Sequence, residues 1–278
     1  MTELGIMQGR LVPRIDGRIQ AFPRADWMSE FPIAADLGFD LIEFIFEGPR
    51  IEEHPFWSVA GIAQVREVTR ATGVEVRSVC ADYFMEQPLF RGTAAERRDS
   101  LDVLLRLLAA AGEVGARCVE IPCVDQSSLK SPEDEQALLD ALGAALEVAK
   151  PAGVSILLET DLPPERFRRL LAAAGDPMIG ANFDSGNSAS LGYDPDEEIK
   201  AIGEFIQNVH IKDRILGGTT VPLGTGAVNF DRVFRALAEA GYGGALVIQG
   251  ARGADDAGVA RDYLSLTRAL SEKYLDRV

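Results

Sequence analysis

Eight short apolar runs rich in Val and Ile, each followed by a longer amphipathic stretch, span this chain. The runs are 4-LGIMQ-8, 40-DLIEFIF-46, 74-VEVRSVC-80, 117-RCVEIPC-123, 154-VSILLE-159, 178-MIGANFD-184, 206-IQNVHIK-212 and 244-GALVIQ-249. Between them, Ala and Leu recur at spacings of three and four, as in 101-LDVLLRLLAAAGEVGA-116. That pattern predicts helices over 27–37, 58–72, 94–114, 132–150, 164–174, 195–204, 230–240 and 256–274. Ser131-Pro132 is a helix start with Pro at the first helical position. Gly73, Gly115, Gly153 and Gly241 fall just past helix ends, where a left-handed residue is needed. Strands that are apolar nearly throughout belong to a parallel sheet covered on both faces. Eight strand–helix units in 278 residues point to an α/β protein, a single-domain (β/α)8 TIM barrel. The rival, an open doubly wound sheet, calls for a GxGxxG turn after the first strand, and 7-MQGRL-11 holds one Gly.

Charge and cysteine usage narrow the partners. The net charge is −15, which argues against nucleic acid or another polyanion. A small anionic substrate stays open, because a few local cations are enough to bind one. No apolar run is long enough to predict a membrane span, and the start MTELGIMQGRL lacks the layout of a signal peptide. Cys80, Cys118 and Cys123 have no metal-like spacing and read as reduced, buried thiols of a cytoplasmic protein. The oligomeric state stays open, a homo-oligomer included.

In a barrel of this kind the chemistry sits at the C-terminal ends of the strands. The last four strands end in Glu159, Asp184, His210 and Gln249. Two carboxylates, an imidazole and an amide oxygen on neighbouring strands suit a divalent ion with open positions for substrate oxygens. With no thiolate in the set, Mn, Mg, Co or Zn all fit. Glu43 and Glu120 alternate with apolar neighbours, so they read as groups inside the barrel, either lining the site or forming a charged layer. Asp82 follows the third strand. Arg10, Lys212, Arg214 and Arg252 lie at or just past strand ends, where they can bind a phosphate or a carboxylate or simply pair with nearby acids. His54 reads as a loop histidine, exposed or at the pocket mouth. The stretch 184-DSGNSASLGYDP-195 reads as a turn of small and polar residues folded against substrate, and Asp161 as the N-cap of the next helix.

The segments 5-GIMQGRL-11, 43-EFIFE-47, 78-SVCADYFME-86, 182-NFDSGNSASLGYDP-195, 209-VHIKDR-214 and 221-VPLGTG-226 resemble the sugar phosphate isomerase/epimerase group of the xylose isomerase-like TIM barrel superfamily. That superfamily also includes inosose and dehydroshikimate dehydratases and endonuclease IV. In its ketose epimerases, Glu, Asp, His and Glu from the last four strands hold one divalent ion, and the two Glu residues are the acid/base pair. The resemblance assigns Glu159, Asp184 and His210 to three of these positions. The fourth, metal-binding and catalytic, falls on Gln249, whose amide can ligate a metal but is no base. Thr225 stands where the family usually has an acidic residue.

The resulting expectation is a divalent-metal-dependent isomerase or epimerase of a sugar, sugar phosphate or keto-polyol, working through an enediolate. Glu159 shuttles the proton, and Arg10, Glu43, Asp82, Lys212 and Arg252 contact substrate. A dehydratase on the same metal site and a non-catalytic sugar-binding barrel are the alternatives, the second because of Gln249. Endonuclease-like repair is disfavoured by the two histidines and the negative charge.

Overall fold

The computed structural model describes residues 1–276. Its barrel strands are β1 (Leu4–Met7), β2 (Leu41–Ile45), β3 (Ser78–Cys80), β4 (Cys118–Cys123), β5 (Ser155–Thr160), β6 (Ile179–Asp184), β7 (Ile206–Ile211) and β10 (Leu246–Ile248). They pair in parallel in the closed order β1-β10-β7-β6-β5-β4-β3-β2. All eight expected runs are therefore barrel strands, and the eighth is β10. Two short strands, β8 (Asp213–Arg214) and β9 (Thr220–Val221), form an antiparallel hairpin just after β7.

The helices are α1 (Glu30–Leu37), α2 (Val59–Thr72), α3 (Tyr83–Glu86), α4 (Ala94–Val114), α5 (Pro132–Ala152), α6 (Pro164–Ala174), α7 (Ser185–Leu191), α8 (Pro195–Ile202), α9 (Phe230–Glu239) and α10 (Asp256–Tyr274). Local chemistry sets their ends. The Ser131 hydroxyl accepts the Asp134 N–H at 3.2 Å, with Pro132 at the first helical position. Thr93 and Glu96 satisfy each other's backbone N–H groups at the start of α4. Gly73, Gly115, Gly153 and Gly241 all have positive φ, as their places past helix ends require.

Alternation along each strand divides the core in two. One set of side chains, such as Val119 and Ile121, is buried outside the sheet, under the helices. The other set points into the barrel, and in its upper half that set is polar: Glu43, Ser78, Glu120, Glu159, Asn182, Asp184, Asn208 and His210, all buried. A barrel interior is ordinarily packed with branched apolar residues. Buried charge without compensation is costly, so this departure marks a functional centre rather than a stabilising one.

Three expectations are corrected here. Residues 185–191 form helix α7 rather than a loop, because Asp184 caps the helix by accepting the Asn187 N–H at 2.8 Å. A Cβ on Gly186 would lie 3.0 Å from the Lys212 backbone carbon, so the absence of a side chain lets α7 seat directly on the end of β7. Asp161 does not cap α6, whose N-cap is Pro163; it instead accepts a hydrogen bond from Ser128. His54 is neither exposed nor at the pocket mouth. It is buried and caps the single turn Pro55–Trp57, among the rings of Phe22, Phe44, Phe46 and Phe56. Phe56 is a near neighbour in sequence, but Phe44 and Phe46 come from the second strand and its end and Phe22 from the segment after the first, which no local pattern announces.

Candidate active site

The register of the parallel ladder puts Asp184 beside His210, and Val247 on β10 beside His210 on its other flank. Around the His210 ring, Nδ1 is 3.3 Å from Glu159 Oε2 and 3.9 Å from Asp184 Oδ2. Its Nε2 is 2.6 Å from Glu43 Oε1 and 3.7 Å from Glu120 Oε2. Potential ligand atoms of Glu159, Asp184 and His210 all lie within 4.8 Å of one another, and so do those of Glu43, Glu120 and His210. Three of the residues expected from the last four strands thus converge.

Neutral amides fix the orientation of this cluster. Asn208 Nδ2 donates to Glu43 Oε2 at 3.0 Å and to Asn182 Oδ1 at 2.9 Å. The Asn182 oxygen therefore faces Asn208, and its Nδ2 donates to Glu159 Oε2 at 2.7 Å while facing His210 Nδ1 at 3.1 Å. Ser78 donates to Glu43, and Asn187 Nδ2 donates to Glu159 Oε1 at 2.5 Å. In the neutral ring, the amide donor facing Nδ1 favours the tautomer with its proton on Nε2, directed at Glu43; in the doubly protonated ring, Nδ1–H faces Glu159 Oε2 instead. A carboxylate–histidine arrangement of this type presents the remaining ring nitrogen to a metal. Sequence reasoning did not single out Asn182, Asn187, Asn208 or Ser78. Their only signal was a polar residue at an inward-facing strand position or in the first turn of a helix after a strand.

Electrostatics separates the acids. Burial alone would raise Glu159, but the hydrogen bond and charge of His210, with Lys212, outweigh it and hold the carboxyl at about 2. Glu120 is pushed well above the ordinary range by burial and then by the charge of Glu159. Asp184 is raised by burial, against the attraction of Lys212, whose Nζ is 3.3 Å from Asp184 Oδ2. Burial opposes charge on His210, yet Glu43 and Glu120 lift its proton affinity well above that of free imidazole. A divalent cation competes with that proton for the Nδ1 lone pair.

The residues present fit such a cation. Four buried carboxyls surround one imidazole, and Lys212 alone among the described lysines and arginines reaches any of them within 4.0 Å. Glu120 Oε2 and Gln249 Oε1 are buried with no hydrogen-bond partner. Burial pushes the Cys80 thiol well above its ordinary value, so the donors on offer are oxygen and nitrogen.

Above the cluster lies a cavity of about 480 Å³, lined by residues that include Gln20, Asp82, Glu120, Glu159, Lys212, Arg214 and Gln249. Gln249 Nε2 donates to Gln20 Oε1 at 2.9 Å, and Gln20 Nε2 donates to Asp82 Oδ2 at 2.7 Å. Burial raises Asp82 despite the hydrogen bonds from Gln20 and Cys80. Glu43 lies below the cavity and touches His210, Ser78 and Asn208 instead of lining the opening. Arg10 and Arg252 do not line it either. Arg10 donates to Gly250 O, Ile19 O and Gln20 Oε1 at 3.2, 2.8 and 3.1 Å, which ties the segment after β1 to the end of β10. Burial and the charge of Arg252 lower Arg10 to about 10. Arg252 donates to Val12 O and to Asp256.

A family profile for the xylose isomerase-like TIM barrel matches residues 31–269. The chain belongs to that family. Among curated proteins, the L-ribulose-5-phosphate 3-epimerase of Shigella flexneri serotype 5b (strain 8401) is 28% identical over 240 residues, covering 83% of this chain and 84% of the relative. Among solved structures, an L-ribulose 3-epimerase superposes with a TM-score of 0.80 at 18% identity, covering 99% of this chain and 96% of that one. The IOLI protein with a bound zinc atom superposes with a TM-score of 0.77 at 17% identity, covering 99% and 100%. At those identities the two structures speak for the fold, which is the closed barrel described above. No helix among the described residues is long and apolar enough to cross a membrane.

Proposed function

We propose that this protein is a divalent-metal-dependent ketose isomerase or epimerase. The observation that carries the reading is the convergence of Glu159, Asp184 and His210 within 4.8 Å at the mouth of the barrel, directly under an open polar cavity. The 28% identity to a ribulose-phosphate epimerase supports it. Glu159, Asp184 and His210 would hold the ion, with the Gln249 amide oxygen as a fourth donor. When bound, the ion supplies Lewis acidity to the carbonyl and adjacent hydroxyl oxygens of a ketose.

The chain's own groups then divide the proton work. Glu159 is ionised and takes the proton from the carbon beside the carbonyl, leaving an enediolate. Glu120 keeps its proton and lines the same cavity, so it is the acid available to return one; a pair of carboxyls with split proton affinities is the usual division of such roles. Return to the neighbouring carbon is aldose–ketose isomerisation, and return to the opposite face of the same carbon is epimerisation. Gln249 can do neither, because an amide is not a base at neutral pH.

The test is metal analysis of purified protein together with solvent-deuterium exchange into a panel of ketoses, in wild type and Gln249→Glu. Bound divalent metal and exchange at the carbon beside the carbonyl are expected. Gln249→Glu is expected to increase epimerisation relative to isomerisation. A protein that binds metal yet exchanges no ketose hydrogen overturns the reading in favour of a binding barrel, and loss of water from a keto-polyol makes it a dehydratase.

A further inference from the structure

We propose that the β8–β9 hairpin at the cavity rim is the binding site for a phosphate on the substrate, with Arg214 as its principal ligand and Thr219 and Thr220, which line the same cavity, as further donors. The inference rests on the ketose reading above and narrows its substrate to a ketose phosphate.

The four cations expected near the mouth have different fates in the fold. Arg10 and Arg252 are spent on backbone carbonyls and on Gln20 and Asp256, and neither lines the cavity. Lys212 lines the cavity but is paired with Asp184 at 3.3 Å. Arg214 also lines it, and among the described residues no carboxylate lies within 4.0 Å of its guanidinium. Its hydrogen bonds go to neutral acceptors: Nε and Nη2 to Gly218 O at 2.9 and 2.7 Å, and Nη1 to Asn187 Oδ1 at 2.8 Å. A guanidinium has five N–H donors, so two remain free, and no carboxylate is in direct contact with its charge. That is an unusual state for an arginine in a cavity that also holds Asp82, Glu120, Asp125 and Glu159.

The hairpin is built to hold this geometry. The Asp213 carboxylate accepts the N–H groups of Gly224, Gly226 and Val228 at 2.9, 2.8 and 3.1 Å, which fixes the hairpin's base. Gly217 N–H donates to Ser190 O at 2.8 Å, which docks the tip on α7. The double contact with Gly218 O holds the guanidinium before any ligand arrives, so little ordering is lost on binding. Loops after the seventh and eighth strands are a common place for phosphate in these barrels. Arg214 also touches Asn187, which donates to Glu159. Contact energy at the rim can therefore bear on the position of the proton-transferring carboxylate.

The experiment compares L-ribulose 5-phosphate with L-ribulose, and titrates inorganic phosphate calorimetrically into metal-loaded protein. Wild type is expected to favour the phosphorylated ketose at least 100-fold in kcat/KM and to bind phosphate. Arg214→Gln is expected to cut that preference at least tenfold, chiefly through KM, and to lose phosphate binding. Arg214→Lys, which keeps charge without the fork, should fall between. Thr220→Val, which leaves the guanidinium anchors intact, should weaken phosphate binding and serves if Arg214→Gln does not fold. Equal turnover of both ketoses by wild type, or phosphate binding unchanged in the variants, overturns the hairpin site and leaves the ketose reading intact. Turnover of neither ketose counts against the ketose reading, and the phosphate titration still decides the site.

Discussion

The chain has two histidines, and both are buried, yet their surroundings are opposites. His54 sits among phenylalanine rings, with centroids 4.5 Å from Phe22 and 4.9 Å from Phe56. Its Nδ1 accepts the Phe56 N–H at 3.2 Å and its Nε2 donates to Ile45 O at 3.1 Å. Both nitrogens are satisfied by backbone, one tautomer is fixed, and burial lowers the pKa to about 3. His210 sits among carboxylates that raise its proton affinity against the same burial. Burial does not determine what a histidine does. The charge of the groups that share the burial decides whether the ring is held neutral or its proton affinity is raised.

The largest contrast is expected in activity. Glu159→Gln should lower ketose exchange by about 10²–10⁴-fold, because it removes a general base while keeping a ligating oxygen. His210→Ala should lose both metal and exchange, measured as metal content and deuterium incorporation. Retention of full metal content in His210→Ala would show that the two histidines differ less than their surroundings suggest.

Next comes stability. His54→Ala should cost about 3–4 kcal/mol by denaturant unfolding, from the cavity it leaves and the Phe56 N–H it orphans. The pH dependence has a definite sign. The folded pKa of about 3 lies below the usual value near 6.5, so the stability His54 contributes is complete above pH 6.5 and is lost as pH falls toward 3. The loss is on the order of 5 kcal/mol. His54→Asn should flatten the acid limb of the unfolding curve between those pH values, and an unchanged limb would show that His54 is not the group responsible.

Metal supplies a third, smaller contrast. Divalent ion at about 100 times its Kd should stabilise wild type by about 2.7 kcal/mol and leave His210→Ala unmoved. The smallest effect falls on the amides. Asn182→Ala should weaken metal binding about 10–100-fold without removing a ligand, since Asn182 only orients His210 and Glu159. An unaltered affinity would mean that the ring is oriented by Glu43 alone.

The barrel was legible because its code is local. Apolar runs, helical spacing, caps such as Ser131-Pro132 and glycines past helix ends each act within a few residues; the expected Asp161 cap and the turn over 185–191 are where such local signals misled. The meeting of Glu159, Asp184 and His210 was legible for a related reason: strand order around a barrel follows chain order, so residues at the ends of successive strands come together at one rim. The departure at Gln249 was likewise visible in the chain. Only the tertiary structure decided the rest. It placed Glu43 from the second strand on the far side of His210, and it used Asn182 and Asn208 to set the ring's tautomer. It enclosed His54 in aromatic rings and withdrew Arg10 and Arg252 from the cavity while leaving Arg214 unpaired within it. Those outcomes depend on which distant side chains share a buried space. Hydrogen bonding and charge in such a space act over a few ångströms, not over a few residues.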